Sequence, residues 1–469
     1  MKDYDLLEVF RKRRFGISGL ISILIFTLVI SLLAFKTRND QWNVWKLNKN
    51  ITFYENSPLL STADGPYFIG LAKTISEGKT FQSFNERRFF PEYLQGNVDK
   101  NTQKEPSKFE ISLLPISISY LSKFLNNDLL LTSNIFIPIA AFFTAISVSI
   151  LFICLGFGFE GTIAGLGASL SQSIYVRTSI GRVDTDLLNI GFFYLVLSLI
   201  FSSIKTNHYV HKFILISLAG ITNFCFIWWY QRPGFFVLFL FSLIILQIFY
   251  KKNVQESFFQ VLVFSLLSGP FYVFESFDNF TGYINIYFNF LDNKTENISL
   301  FFPNTFKTIT ELQKLDFSEY SKVILGEGKE WITVLGIFGL ITFVFFNFRK
   351  SLILIAPTIF LLMSFFIGKR FAIYAIPLYW FGIAYLLICL VLLVSKILEK
   401  TNLINISQKL FRTFLVSLST IFLIFVITTS SISFCENGSF FYCKPKYTPM
   451  PSFSKRTTQA FDLLRKEGF

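Results

Sequence analysis

Histidine is nearly missing from this sequence: 469 residues contain two, His208 and His211. Both lie in one short polar segment and the five cysteines form no cluster with them, which excludes a zinc site built from His and Cys. Charge is scarce too. Charged residues make up 16% of the chain against 52% hydrophobic residues, too little charge for an ordinary soluble domain. Acidic residues are outnumbered 30 to 43 by Lys and Arg, giving a formal net charge of +13. A nucleic-acid surface would gather that excess into one patch. Here it falls in short segments between apolar runs, the positive-inside pattern of a membrane protein, so no nucleic-acid partner is expected. The first apolar stretch, 17–35, has no small-residue cleavage site and follows Arg11, Lys12, Arg13 and Arg14. It reads as a signal anchor with the N-terminus inside. Internal repeats and low-complexity domains are also absent.

What the chain has is apolar length. About eleven segments, 16–36, 130–154, 160–177, 187–205, 212–230, 234–250, 257–275, 331–348, 351–367, 370–394 and 411–432, are each long enough to cross a bilayer as a tilted helix. The fold class expected is an all-α polytopic membrane protein. The 62 Phe residues accompany abundant Ile, Lys and Asn and reflect biased composition rather than an aromatic binding surface. With the N-terminus inside, the basic segments 205–212, 251–252, 349–350 and 396–412 all face inward. The outward segments are then 37–129, 178–186, 231–233, 276–330, 368–369 and 433–469. Two of these, 37–129 and 276–330, have the length of binding segments or of linkers, and 113–125 is apolar enough to lie in the interface. Gly161, Gly165 and Gly167 suggest close helix packing. Cys154, Cys225 and Cys389 fall in or at the ends of spans. Cys435 and Cys443 follow the last span, and in an oxidising outer compartment they would close a small disulfide loop; the alternative is two free thiols.

This topology puts four carboxylates, Asp64, Asp184, Asp186 and Glu311, on the outer side. A carboxylate near the hydrocarbon costs about 3 kcal/mol unless paired or metal-bound, so the four suggest one site. Carboxylate oxygens are hard ligands that favour Mg²⁺ or Mn²⁺ over Zn²⁺. An ion held there beside phosphate would neutralise a leaving group, and Arg370 at an outer helix end would grip the same group or snorkel to the interface.

Taken in order, Ser61-Thr62-Ala63-Asp64 with Tyr67-Phe68, Arg177-Thr178 ahead of Asp184-Thr185-Asp186, Trp228-Trp229-Tyr230, Thr308-Ile309-Thr310-Glu311, and Arg370-Phe371-Ala372-Ile373-Tyr374 with Pro377 resemble the catalytic subunit of bacterial and archaeal oligosaccharyltransferases. The resemblance covers nearly the whole chain, and the Thr-Ile-x-Glu and Asp-x-Asp signatures in this order carry it. It implies a GT-C-type transmembrane domain over 1–432, with outer loops 37–129 and 276–330 enclosing the active site, and a short external tail over 433–469. It also implies an enzyme of the bacterial or archaeal plasma membrane that moves a glycan from a polyprenyl-pyrophosphate donor to the side-chain amide of asparagine, with inversion. Asp64, Asp184 and Glu311 would bind Mn²⁺ or Mg²⁺ with Asp186 in support. Asp64 and Glu311 would also accept the two N–H bonds of the acceptor amide, freeing a lone pair that resonance otherwise ties up. Arg370 would hold pyrophosphate, Arg177 would brace the first-loop carboxylate or anchor at the interface, and Tyr230 with Trp228 and Trp229 would line the path of the lipid-linked donor or form an aromatic belt.

The chain departs from the family in two places. Family members continue into a soluble domain carrying Trp-Trp-Asp-Tyr-Gly, which reads the acceptor hydroxyl; no such motif occurs here, so a separate soluble subunit, a shortened product or lost acceptor reading is expected. Roughly two spans of the bacterial members are missing between Lys252 and Ser257, and Gln231-Arg232-Pro233 replaces small hydroxyl residues, making Arg232 a candidate phosphate contact. The competing readings are another GT-C transferase acting on lipid or polymer, and a non-catalytic binder or transporter of lipid-linked glycan. Asn-x-Ser/Thr triplets at Asn50, Asn279, Asn293, Asn297 and Asn437 fall outside, and one at Asn405 falls inside at the background rate.

Overall fold

The apolar runs fold as helices because a helix satisfies its own backbone hydrogen bonds where no water can. The computed structural model describes residues 17–62, 64–79, 111–270, 275–277, 281, 316–325, 330–366, 368–400, 408–430, 447–452 and 454–466. The principal helices are α1 (Ile17–Leu47), α2 (Gly65–Ser76), α3 (Leu113–Ser122), α4 (Leu129–Cys154), α5 (Gly158–Leu170), α6 (Gln172–Arg177), α7 (Asp186–Lys205) and α8 (Tyr209–Tyr230). They continue with α9 (Phe235–Phe249), α10 (Val254–Leu267), α11 (Phe317–Leu325), α12 (Glu330–Phe346), α13 (Ile355–Phe366), α14 (Ala372–Lys400), α15 (Gln408–Ser430) and α16 (Lys455–Lys466). A two-residue hairpin, Phe53–Tyr54 against Ser57–Pro58, follows α1.

The described parts of the expected spans are largely helical, but among the described residues only six helices are both long and apolar enough to cross alone. The chain is an integral membrane protein. Two expectations need correction. The first helix does not end near 36 but runs on to Leu47, carrying Arg38, Gln41 and Trp45 past the apolar stretch to support the site. The expected span 160–177 is broken: Ser171 is extended, with φ −61° and ψ 141°, and separates α5 from α6.

Helices α4, α5, α7 and α14 form the centre, with α1 and α8 against them. The glycines of α5 act by close approach, as expected. A Cβ on Gly165 would lie 2.2 Å from the Ala145 carbonyl oxygen, and one on Gly167 would lie 2.5 Å from the Trp380 ring. Helix α3 buries Leu114, Ile118 and Ser122 while Tyr120, Leu121 and nearby Phe124 stay exposed, an arrangement suited to the interface. Between α9 and α10 the chain makes a tight turn at Lys251, with φ +50°. Cys154, Cys225 and Cys389 are free thiols; Cys435 and Cys443 lie outside the described residues.

Candidate active site at the carboxylate face

Asp64 and Asp186 each stand where a helix begins. Asp64 is the N-cap of α2, yet its side chain makes no capping bond, and it is exposed. The helix dipole favours an anion there, and the carboxylate is left available. Asp186 opens α7 and is 5% exposed. Its Oδ2 pairs with Arg177, its Oδ1 lies 3.8 Å from Arg370 Nη2, and Asn189 Nδ2 donates to Oδ1 at 3.0 Å. Residues from α6, α7 and the turn before α14 thus converge on one carboxylate. The Arg370 guanidinium also sits 5.8 Å above the Tyr230 ring.

Asp184 is held differently. Arg182 Nη2 is 3.5 Å from its Oδ2 and Thr185 Oγ1 lies 3.3 Å from its Oδ1. Burial raises its pKa, Asp186 and Asp64 add to that, and Arg182 and Arg177 oppose it. The folded site therefore crowds negative charge around Asp184 that an added cation would relieve. Carboxylates far apart in the chain, Asp64, Asp184 and Asp186, thus come to one face. Opposite them, Lys205 ends α7, and a 20-residue helix is about 30 Å long, a membrane thickness.

The scaffold beneath these groups is polar, and a buried arginine ties it together. Arg38, fully buried, donates to the Ser169 carbonyl at 2.7 Å, to Thr178 Oγ1 at 2.5 Å and to the Thr178 carbonyl at 3.2 Å. These carbonyls lie at the ends of α5 and α6, so the guanidinium offsets two negative helix termini and fixes the break that presents Arg177. Trp229 Nε1 donates to the Thr185 carbonyl at 2.5 Å, tying α8 to the Asp184–Asp186 loop. Helix α11, at the far end of the second long loop, packs against α6 with Tyr320 buried.

Sequence reasoning missed four of these residues. Arg182, two positions before Asp184, and Asn189, one helical turn after Asp186, were visible by spacing. Arg38 and Gln41 gave no signal beyond following an apolar run. Arg177 was expected to brace the first-loop carboxylate; the structure pairs it with Asp186, because α6 ends beside the start of α7. Arg232 is exposed in the turn after α8, where Gln231 takes a left-handed φ of +55°. Glu311 lies outside the described residues. Among the described residues, no group of three His, Cys, Asp or Glu suited to a metal is present. Asp64 and Asp184 supply the hard donors a divalent ion takes, and the charge crowding at Asp184 fits one.

No family model matches the chain. The undecaprenyl-diphosphooligosaccharide–protein glycotransferase of Campylobacter jejuni strain RM1221 is 24% identical over 410 residues, covering 78% of this chain and 53% of that protein. The chain is related to oligosaccharyltransferase catalytic subunits. It spans about half the length of the curated relatives it matches. The crystal structure of the Archaeoglobus fulgidus oligosaccharyltransferase tethered to an acceptor peptide with the NVT sequon aligns with TM-score 0.59 and 14% identity, over 97% of this chain and 58% of that one. The same protein with an inhibitory peptide and a dolichol-phosphate aligns with TM-score 0.57 and 14% identity, over 96% and 58%. The oligosaccharyltransferase membrane fold thus extends over essentially the whole chain.

Proposed function

We propose that this chain is the membrane module of a protein N-glycosylating enzyme, transferring a glycan from a polyprenyl-pyrophosphate donor to the side-chain amide of asparagine with inversion at the anomeric carbon. One observation carries the reading: Asp64 and Asp184 stand beside an Asp186 that is clamped by Arg177 and Arg370, with Tyr230 beneath Arg370. Asp64, without a capping bond, and Asp184, held by Arg182 and Thr185, are the acidic groups that would meet a substrate or cation. Relatives that share the fold act on an undecaprenyl-diphosphooligosaccharide or bind an acceptor peptide and dolichol-phosphate, and this supports the assignment of substrates.

Asp64, exposed and free of a capping bond, accepts an N–H of the acceptor amide, and Glu311 accepts the other. Hydrogen bonds that strengthen as the amide nitrogen gives up its resonance lower the barrier. Arg370 holds the pyrophosphate by charge-assisted hydrogen bonds, and Tyr230 and Arg232 flank the donor's approach. Asp186 keeps both arginines oriented. Asp64, Asp184 and Glu311 would hold Mn²⁺ or Mg²⁺, which supplies charge neutralisation for the departing pyrophosphate. The N-terminus is cytoplasmic and the carboxylate face is external.

The test is glycan transfer from a lipid-linked donor to an Asn-x-Thr peptide by the detergent-purified chain with Mn²⁺, alongside Asp64→Ala and Glu311→Ala. Transfer that both substitutions abolish is expected. Transfer that survives both would remove the proposed roles of these carboxylates.

A further inference from the structure

The segment Tyr447–Ser452 lies after the last membrane helix, yet its backbone is tied to the turn that presents Asp64. Ser452 N–H donates to the Leu60 carbonyl at 2.8 Å. Gln41 Nε2 donates to the Tyr447 carbonyl at 3.0 Å, and Trp45 Nε1 donates to the Pro449 carbonyl at 2.9 Å. Gln41 is fully buried and works at both ends: its Oε1 accepts from the Ile180 N–H at 3.2 Å. The adjacent Gly181 carbonyl accepts from the Ser61 N–H at 2.8 Å, and the Ile180 carbonyl accepts from Ser61 Oγ at 3.1 Å. A closed circuit results: the tail holds Leu60 and Gln41, Gln41 holds Ile180, and residues 180–181 hold Ser61. Asp64 lies three residues beyond Ser61, and Asp184 three beyond Gly181.

The circuit is tightly packed. Gly181 has φ +78°, and a Cβ there would lie 2.4 Å from Trp45 Cη2 and 3.0 Å from the Ser61 nitrogen. Gly181 N–H is taken by Asn134 Oδ1 at 2.8 Å, so the loop is pinned from α4 as well. The Tyr447 ring packs edge-on against Tyr175 at 6.3 Å.

We propose that Tyr447–Ser452 is a positioning strap which, through Gln41 and Trp45, sets the separation of Asp64 and Asp184. This deepens the glycosyltransferase reading and rests on it. A shift of about 1 Å at a reacting group is enough to cost about a hundredfold in rate, so a strap that fixes two loops against each other acts on turnover more than on binding. Its residues are positioning residues and touch neither substrate.

The decisive variant is Ser452→Pro, which deletes the N–H that holds Leu60, with Ser452→Ala as the matched control that keeps it. Trp45→Phe, which removes the donor to Pro449 together with the ring edge that faces Gly181, is the second variant in case the first fails to fold, assayed at the same interval below its own thermal midpoint as the unsubstituted chain. Ser452→Pro and Trp45→Phe are expected to lower kcat for glycan transfer about tenfold with donor KM unchanged, the thermal midpoint of Ser452→Pro also unchanged, and to speed amide hydrogen exchange in 60–68 and 178–186. Ser452→Ala changes neither. Faster exchange with no glycan transfer by any form keeps the strap and sinks the glycosyltransferase reading. Exchange and kcat unchanged in both variants overturns the strap, as does a loss matched by an equal fall in thermal midpoint.

Discussion

Asp186 and Arg177 give the sharpest handle on the site, because their pairing can be measured without substrate. The Asp186 side chain is 2% exposed and that of Arg177 is 11% exposed, while Arg370, at 35%, can turn toward water. Asp186→Ala removes the buried anion that Arg177 and Arg370 face. Breaking a buried pair from one side costs about 3–5 kcal/mol, and relief at Arg370 puts the expectation near the low end, about 3 kcal/mol. Arg177→Met leaves Asp186 with Arg370 and Asn189 and should cost less, about 2 kcal/mol. The double variant removes one charge of each sign, so it should cost about 3 kcal/mol rather than 5, a coupling of about 2 kcal/mol. The assay is reversible unfolding in mixed micelles by SDS titration, followed by circular dichroism. Losses that add to within about 0.5 kcal/mol would mean that the two groups do not meet, and the clamp on Asp186 would have to be abandoned.

Asp184 should behave in the opposite way. Burial, with Asp186 and Asp64, raises its pKa against the pull of Arg182 and Arg177, so the metal-free folded state holds the proton more tightly than the unfolded chain. Its stabilising contribution is present below the ordinary aspartate pKa and fades as pH rises through the raised value; Asp184→Asn should be neutral in acid and raise the thermal midpoint at neutral pH in EDTA. An equal effect at both pH values refutes this. Gly165→Val would drive a side chain into the Ala145 carbonyl, 2.2 Å from the Cβ position, with a cost at or above the usual 1–3 kcal/mol of overpacking, seen as loss of monodisperse protein on size exclusion. Arg370→Lys keeps the charge but not the bidentate fork, and donor KM should rise about tenfold; an unchanged KM would take Arg370 away from the phosphate.

Much of this molecule was legible in its order of residues. Apolar length and the placement of Lys and Arg are one-dimensional properties, and the bilayer reads them one-dimensionally, so the helices and the convergence of Asp64, Asp184 and Asp186 on one face could be expected. The glycines of α5 were visible for the same reason, since a small residue at helical spacing permits close approach whatever the partner. What the tertiary structure decided is which charge meets which. The sequence offers Asp184 and Asp186 as near equals two residues apart; the start of α7 turns Asp186 inward onto Arg177 and Arg370 and leaves Asp184 in the loop. The break at Ser171 and the run of α1 to Leu47 were hidden because buried polar contacts, such as Arg38 on two helix ends and Gln41 between loop and tail, join residues more than 100 positions apart and leave no local pattern. Composition and order chose the solvent, and long-range hydrogen bonds chose the geometry.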